Sequence, residues 1–223
     1  MRRPSLTPPP SRIENGVLST EYEWRGKRVQ VYDSARAALL CIELFADERL
    51  APEAKAQLLP DMLFPEPDKA REAAGDEPRE MVAALVWDAY GLDITGERAR
   101  DSGQQAFSWQ QDAARIKASL MAAYGIDWDR DSSLIPFCDA AGLLGSLMEM
   151  RESTPFSEAI EARLAEPPKP TKHNRELRAA MAARKSHFAL KSEDSPQAAA
   201  KRADDAMADM FAAAKRAAVR RGH

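Results

Sequence analysis

DAYGLD at residues 88–93 and AAYGID at residues 122–127 are nearly the same six letters, set thirty-four positions apart. That spacing is the period of a two-helix solenoid repeat, so a repeat array is the first reading to test. One period upstream stands AKAQL (Ala54 to Leu58) and one period downstream SEAIE (Ser157 to Glu161), and neither carries the tyrosine or the glycine. The array fails, and a local reading takes its place. Trp109, Ala113, Ile116, Leu120 and Tyr124 step by three and four, as one face of a helix does. Ser108 with Gln111 has the spacing of a capping box. Gly125 follows where a helix reverses into a left-handed residue, and Ile126 stands where an apolar side chain packs back on the last turn. In the first copy Val82, Val86 and Tyr90 form the face, Gly91 stops the helix and Leu92 folds back. The twin words are two helix terminators.

Two helices of this kind predict a mainly α fold: a compact helical domain with a small N-terminal β-hairpin and a helical C-terminal extension. Residues 1–16 read as a disordered Pro-rich arm, 17–165 as the helical core domain, 166–191 as a basic linker and helix, and 192–223 as an Ala/Lys/Arg-rich helical extension. The hairpin is predicted over Ser19 to Tyr32, with Tyr22 and Trp24 before a turn at Arg25-Gly26-Lys27 and Val29 and Val31 after it. Asp33 or Ser34 caps a helix carrying Leu39, Leu40, Ile42, Leu44 and Phe45. A second helix opens at Pro52 and is expected to stop near Leu59, because Pro60, Pro65 and Pro67 make the next stretch a connector. Further helices are predicted over Pro78 to Tyr90, Trp109 to Tyr124, Ser133 to Met150 and Phe156 to Leu164. The last of the body helices is predicted to run from an Asn174 cap to Leu190.

Hydrophobic residues make up 44% of the chain, enough for one sizeable core, and no apolar run approaches the roughly 20 residues that cross a bilayer. The first twelve residues lack the apolar segment of a secretory signal, so an intracellular protein is expected. Cys41 and Cys138 lie in apolar surroundings with no Cys-x-x-Cys spacing, which reads as two buried thiols. The net charge of -3 is uneven: from Glu166 onward there are 13 Lys/Arg against 7 Asp/Glu, so an acidic body carries a basic tail. Within that tail Met207, Met210 and Phe211 form a narrow apolar stripe, a candidate partner-binding surface.

Catalytic patterns are missing from the sequence. No phosphate-cradling glycine loop and no nucleophile elbow is present, and His173, His187 and His223 share no metal-ligand spacing, so neither an enzyme nor a cofactor nor a metal is expected. Asp127, Asp129 and Asp131 match the start of a calcium loop, but Ser132 stands where the turn wants glycine and Cys138 where the bidentate glutamate belongs. The stretch reads instead as an acidic loop capping the next helix.

Taken in order, the segments resemble the bacteriophage gene-product-fifteen family of tail-region proteins. RGKRVQVYDSARAALLCIELFADERLAPEAKAQLLPDMLF (residues 25–64) looks like that family's opening hairpin and first helices, with its Asp-x-x-Arg step at Asp33 and Arg36. FSWQQDAARIKASLMAAYGIDWD (residues 107–129) is similar to its most recognisable stretch, and TPFSEAIEARL followed by PPKPTKHNRELRAAMAARKSHFAL to its end. Leu134, Ile135 and Pro136 depart from the His-Trp-Trp cluster usual in the family. The resemblance implies a signature region at Trp109, Tyr124, Gly125, Ile126, Asp127 and Trp128, with Trp109, Tyr124 and Trp128 as structural anchors. It also implies a tail assembly chaperone that acts in the host cytoplasm on the tape-measure and tail tube proteins. A nucleic-acid-binding regulator working through the basic tail is the other reading.

Overall fold

The computed structural model describes residues 3–95 and 106–190. Among them are three strands and nine helices, so the fold is mainly α with a small antiparallel sheet at the N-terminal end. Two units emerge, residues 3–95 with 129–142 and residues 106–128 with 143–190.

The first unit opens with the sheet, in the order β1 (Ser11–Glu14), β2 (Val17–Trp24) and β3 (Lys27–Tyr32). The β2–β3 hairpin is the one predicted, and Tyr22 faces Val29 across it. Strand β1 is a correction, since it lies inside the stretch that reads as a disordered arm. Its signal is the dipeptide Asn15-Gly16, where φ is +52° and +76°. Two consecutive positive φ angles make the tight turn whose twist matches paired strands, and Asn-Gly is its strongest sequence mark. Arg25-Gly26 repeats the geometry at +48° and +78°. The Pro10 carbonyl accepts a hydrogen bond from the Glu21 N–H (3.1 Å), so the ordered chain begins even before β1.

Helix α1 (Ala35–Ala46) starts where the Ser34 hydroxyl accepts the Ala37 N–H, which settles the choice of cap between Ser34 and Asp33. Its buried face is Ala35, Ala38, Cys41, Leu44 and Phe45, while Leu40, expected inside, is exposed. Helix α2 (Pro52–Leu63) runs one turn past the predicted stop and contains Pro60. An interior proline costs about 3 kcal/mol in an isolated helix. Here Leu63 and Phe64, 0% and 3% exposed, draw the extra turn into the core. The expected connector also holds α3 (Pro67–Ala74), with proline at its first turn and Ala70 and Ala74 buried. Helix α4 (Pro78–Tyr90) has the predicted bounds, and Gly91 ends it in the left-handed conformation. Val86 and Tyr90 are buried with Met81, Leu85 and Ala89, whereas Val82 sits at the margin. The Tyr90 hydroxyl donates to the Tyr32 carbonyl, tying α4 to the end of β3.

Helix α6 (Trp128–Asp131) occupies the stretch read as an acidic loop, so Asp129 and Asp131 are helical residues and not a loop cap. Helix α7 (Phe137–Leu147) is shorter at both ends than the predicted Ser133 to Met150. Its true start has a tertiary cause: Pro136 pairs with Ser34 in an isolated bridge, and the Phe137 N–H donates to the Asp33 carbonyl (2.9 Å). Phe137 then meets Tyr90 edge to face at 6.0 Å. Both cysteines are buried thiols outside any disulfide, and burial pushes the Cys41 thiol up to about 12.

In the second unit α5 (Ala113–Tyr124), α8 (Pro155–Leu164) and α9 (Arg175–Phe188) pack in sequence, α5 on α8 and α8 on α9. Thr154 and Ser157 cap the start of α8 reciprocally. Asn174 stands at the N-cap position of α9 as predicted, but its side chain makes no capping bond. Its side chain accepts the Thr171 N–H (2.9 Å) and donates to the Lys169 carbonyl (2.8 Å), so it braces the preceding loop.

Candidate functional site

The signature stretch forms the wall of the second unit's core. Ile116 and Leu120 of α5 are buried with Leu144, Leu147, Phe156 and Ile160, and Trp109, Tyr124, Ile126 and Trp128 pack against that cluster from its edge. Trp109 stacks on Trp128, with ring centroids 6.4 Å apart and planes 25° from parallel. Phe107 stands edge-on to both Trp109 (5.4 Å) and Phe156 (5.6 Å). The Tyr124 hydroxyl donates to the Leu143 carbonyl at 3.3 Å. The structure thus brings the three proposed anchors to one core, while Asp127 is half-buried beside them. Met207, Met210 and Phe211 lie outside the described residues.

Gly125 has φ +68° and ψ +18°, and its N–H returns to the last-turn carbonyls of α5. A Cβ added there would meet nothing within 4 Å, so the only obstacle to a side chain is the left-handed backbone. Gly125→Val should therefore lower stability by about 1–2 kcal/mol, the penalty for a β-branched residue in that conformation. Chemical denaturation checks it, and an unshifted midpoint would remove the terminator role.

The entry to this helix differs from the predicted box. The Ser108 hydroxyl accepts the Gln111 N–H (3.2 Å), as expected, but the Ser108 N–H is satisfied by Asp112 Oδ2 (3.1 Å) and not by Gln111. Residues 109–112 are a turn, and the helix proper begins at Ala113. Asp112 is diverted because its carboxylate, 0% exposed, has a second duty. Arg163 of α8 grips both its oxygens, NH1 to Oδ2 at 2.6 Å and NH2 to Oδ1 at 2.7 Å. Arg115 adds a bond to Oδ1 at 3.0 Å. The remaining Arg163 donors reach the Ala106 carbonyl (2.9 Å) and, through Nε, the Phe188 carbonyl at the end of α9 (2.5 Å).

Burial by itself raises the Asp112 carboxyl. The Arg163 hydrogen bond, the Ser108 N–H, the Arg163 charge and the Arg115 bond outweigh it and hold Asp112 below the ordinary carboxylate range. Every polar atom of the pair is engaged, an arrangement suited to clamping four chain segments together and ill suited to moving a proton. The sequence reading singles out neither Asp112 nor Arg163. A signal existed: Phe156, Ile160 and Arg163 step by four and three, placing an arginine in line with two core positions.

Residues 15–190 match the family described as Bacteriophage Gp15 protein. The chain belongs to the bacteriophage Gp15 family. The match ends at the last described residue of α9's flank, so the tail beyond Leu190 falls outside it. No curated protein and no solved structure matches the chain. Within this Gp15 protein the aromatic wall and the Asp112–Arg163 clamp both lie inside the family match.

Proposed function

We propose that this Gp15 protein is a non-enzymatic assembly factor of a phage tail, acting in the host cytoplasm as a chaperone for the tape-measure protein and working with the tail tube protein. The observation that supports this reading is the outer surface of the second unit. Met121, Met148, Met150, Leu164 and Leu177 stand between 37% and 56% exposed around a tightly clamped interior. Methionine is flexible and polarisable, so such a surface adapts to apolar stripes of varying shape, as a long helical client would present. Helix-in-groove contacts of this kind keep a client soluble without chemistry.

Co-expression provides the test. Tape-measure fragments produced with the protein should become soluble and co-purify with it, and fragments that stay insoluble and unbound would overturn the proposal. A second reading, nucleic-acid binding through the basic tail, draws support from the cation excess after Glu166. Three of those cations are already engaged, Arg178 with the Pro168 carbonyl, Arg184 with Glu158 and Lys185 with the Ala165 carbonyl. Association with DNA that persists at near-physiological salt would favour it.

A further inference from the structure

Helix α9 is attached to its unit in an unusual way. None of its 14 residues is buried, and Leu177 on its surface is 56% exposed. A helix of that length is marginal by itself in water, so α9 persists because of its seat. Its half-buried face carries Arg178, Met181, Lys185 and Phe188, and polar bonds fix it in place. Arg163 Nε donates to the Phe188 carbonyl (2.5 Å), the Arg115 guanidinium lies 5.3 Å from the centre of the Phe188 ring, and Lys185 reaches the Ala165 carbonyl at 3.4 Å. The Arg184–Glu158 bridge (3.3 Å) is half exposed on both sides and contributes little.

The loop before α9 is braced from within the same segment. Asn174 holds Thr171 and Lys169, and Arg178 donates to the Pro168 carbonyl. Residues 167–173 are exposed throughout and contain Pro167, Pro168 and Pro170. Loop and helix therefore form one self-braced arm, tied to the rest of the unit at Phe188, Lys185 and Arg184.

We propose that α9 is a displaceable strap, latched at Phe188 by Arg163 and Arg115, which can leave its seat while α5, α7 and α8 stay folded. Docked, the strap holds its C-terminal residue Phe188 beside the clamp. Released, α9 stays joined to the end of α8 only through the Pro-rich loop, a spacer of about 3 Å per residue. The latch thereby sets how far α9 travels from the clamp.

Hydrogen exchange on the full-length protein tests this. Amides of α9 should exchange on the order of 100-fold faster than those of α5 and α8, as expected of a separately opening segment. Phe188→Ala, which removes the ring under Arg115 but keeps the backbone carbonyl, should accelerate α9 further and leave α5 and α8 protected. Phe188→Leu should fall between the two. Equal protection of α9, α5 and α8 in the unaltered protein would overturn the strap, and so would loss of α5 and α8 protection in Phe188→Ala. Unchanged α9 exchange in Phe188→Ala would overturn the latch.

Discussion

Arg163→Met is expected to destabilise the second unit by about 3–5 kcal/mol, more than any other single substitution at its polar centre. The reason is what remains behind. Asp112 would keep its burial and lose the two short bonds that offset it, and the Ala106 and Phe188 carbonyls would lose a donor each. Removing both charges should be far milder: the double variant Asp112→Asn with Arg163→Met leaves no buried ion and should recover a large part of the loss. Urea denaturation of the single and double variants measures the coupling, and simple additivity would refute the clamp.

The same pair makes a pH prediction. Asp112 has its carboxyl lowered by folding, so its contribution is complete above the unfolded value of about 4 and is lost as pH falls through the lower folded value. In Arg163→Met the carboxyl has lost its main partner and burial pushes it up, so protonation relieves the variant. The stability gap between the two proteins should accordingly begin to narrow above about pH 4, where the variant's carboxyl takes up its proton, and continue to narrow below it, where Asp112 of the unaltered protein does. A gap that widened with acid would contradict the assignment.

Phe156→Ala carries the second large effect, about 3–5 kcal/mol. Phe156 is 3% exposed and sits among Ile116, Leu120, Leu144, Leu147 and Ile160, with Phe107 edge-on to its ring. Truncation opens a cavity that the surrounding helices cannot fill, because two of them are fixed to each other by polar contacts. The Phe156 N–H donates to the Ser119 hydroxyl (3.0 Å), and Arg163 binds Asp112 one turn before α5's core residues. Phe156→Leu keeps most of the volume and should cost less than about 1.5 kcal/mol. The denaturation midpoint should move with an unchanged slope, and a midpoint shift below 1 kcal/mol for the alanine variant would place Phe156 outside the core.

Much of this architecture was legible in the sequence because its causes are local. Tyr90-Gly91 and Tyr124-Gly125 end helices through a residue that must turn left-handed, and the letters alone say so. Asn15-Gly16 is equally local, and β1 escapes prediction only when the prolines before it are given more weight than the turn. Tyr124 is also visible, since it continues the helical face of Ile116 and Leu120, whereas Trp109 precedes the helix in its entry turn.

Other features depend on partners far along the chain. Pro60 argues against the last turn of α2, and burial of Leu63 and Phe64 overrules it. Helix α7 begins at Phe137 because Ser34 and Asp33, a hundred residues earlier, take up the backbone before it. Asp112 and Arg163 stand fifty-one positions apart, each unremarkable among its neighbours. By itself the sequence determined which faces are apolar and where the chain must turn, because those depend on side chains within a few residues of one another. Only the tertiary structure decided which helix outlasts its proline, where an entry turn gives way to a helix, and which buried carboxylate meets its arginine. Those outcomes rest on desolvation and packing between segments that share no local contact.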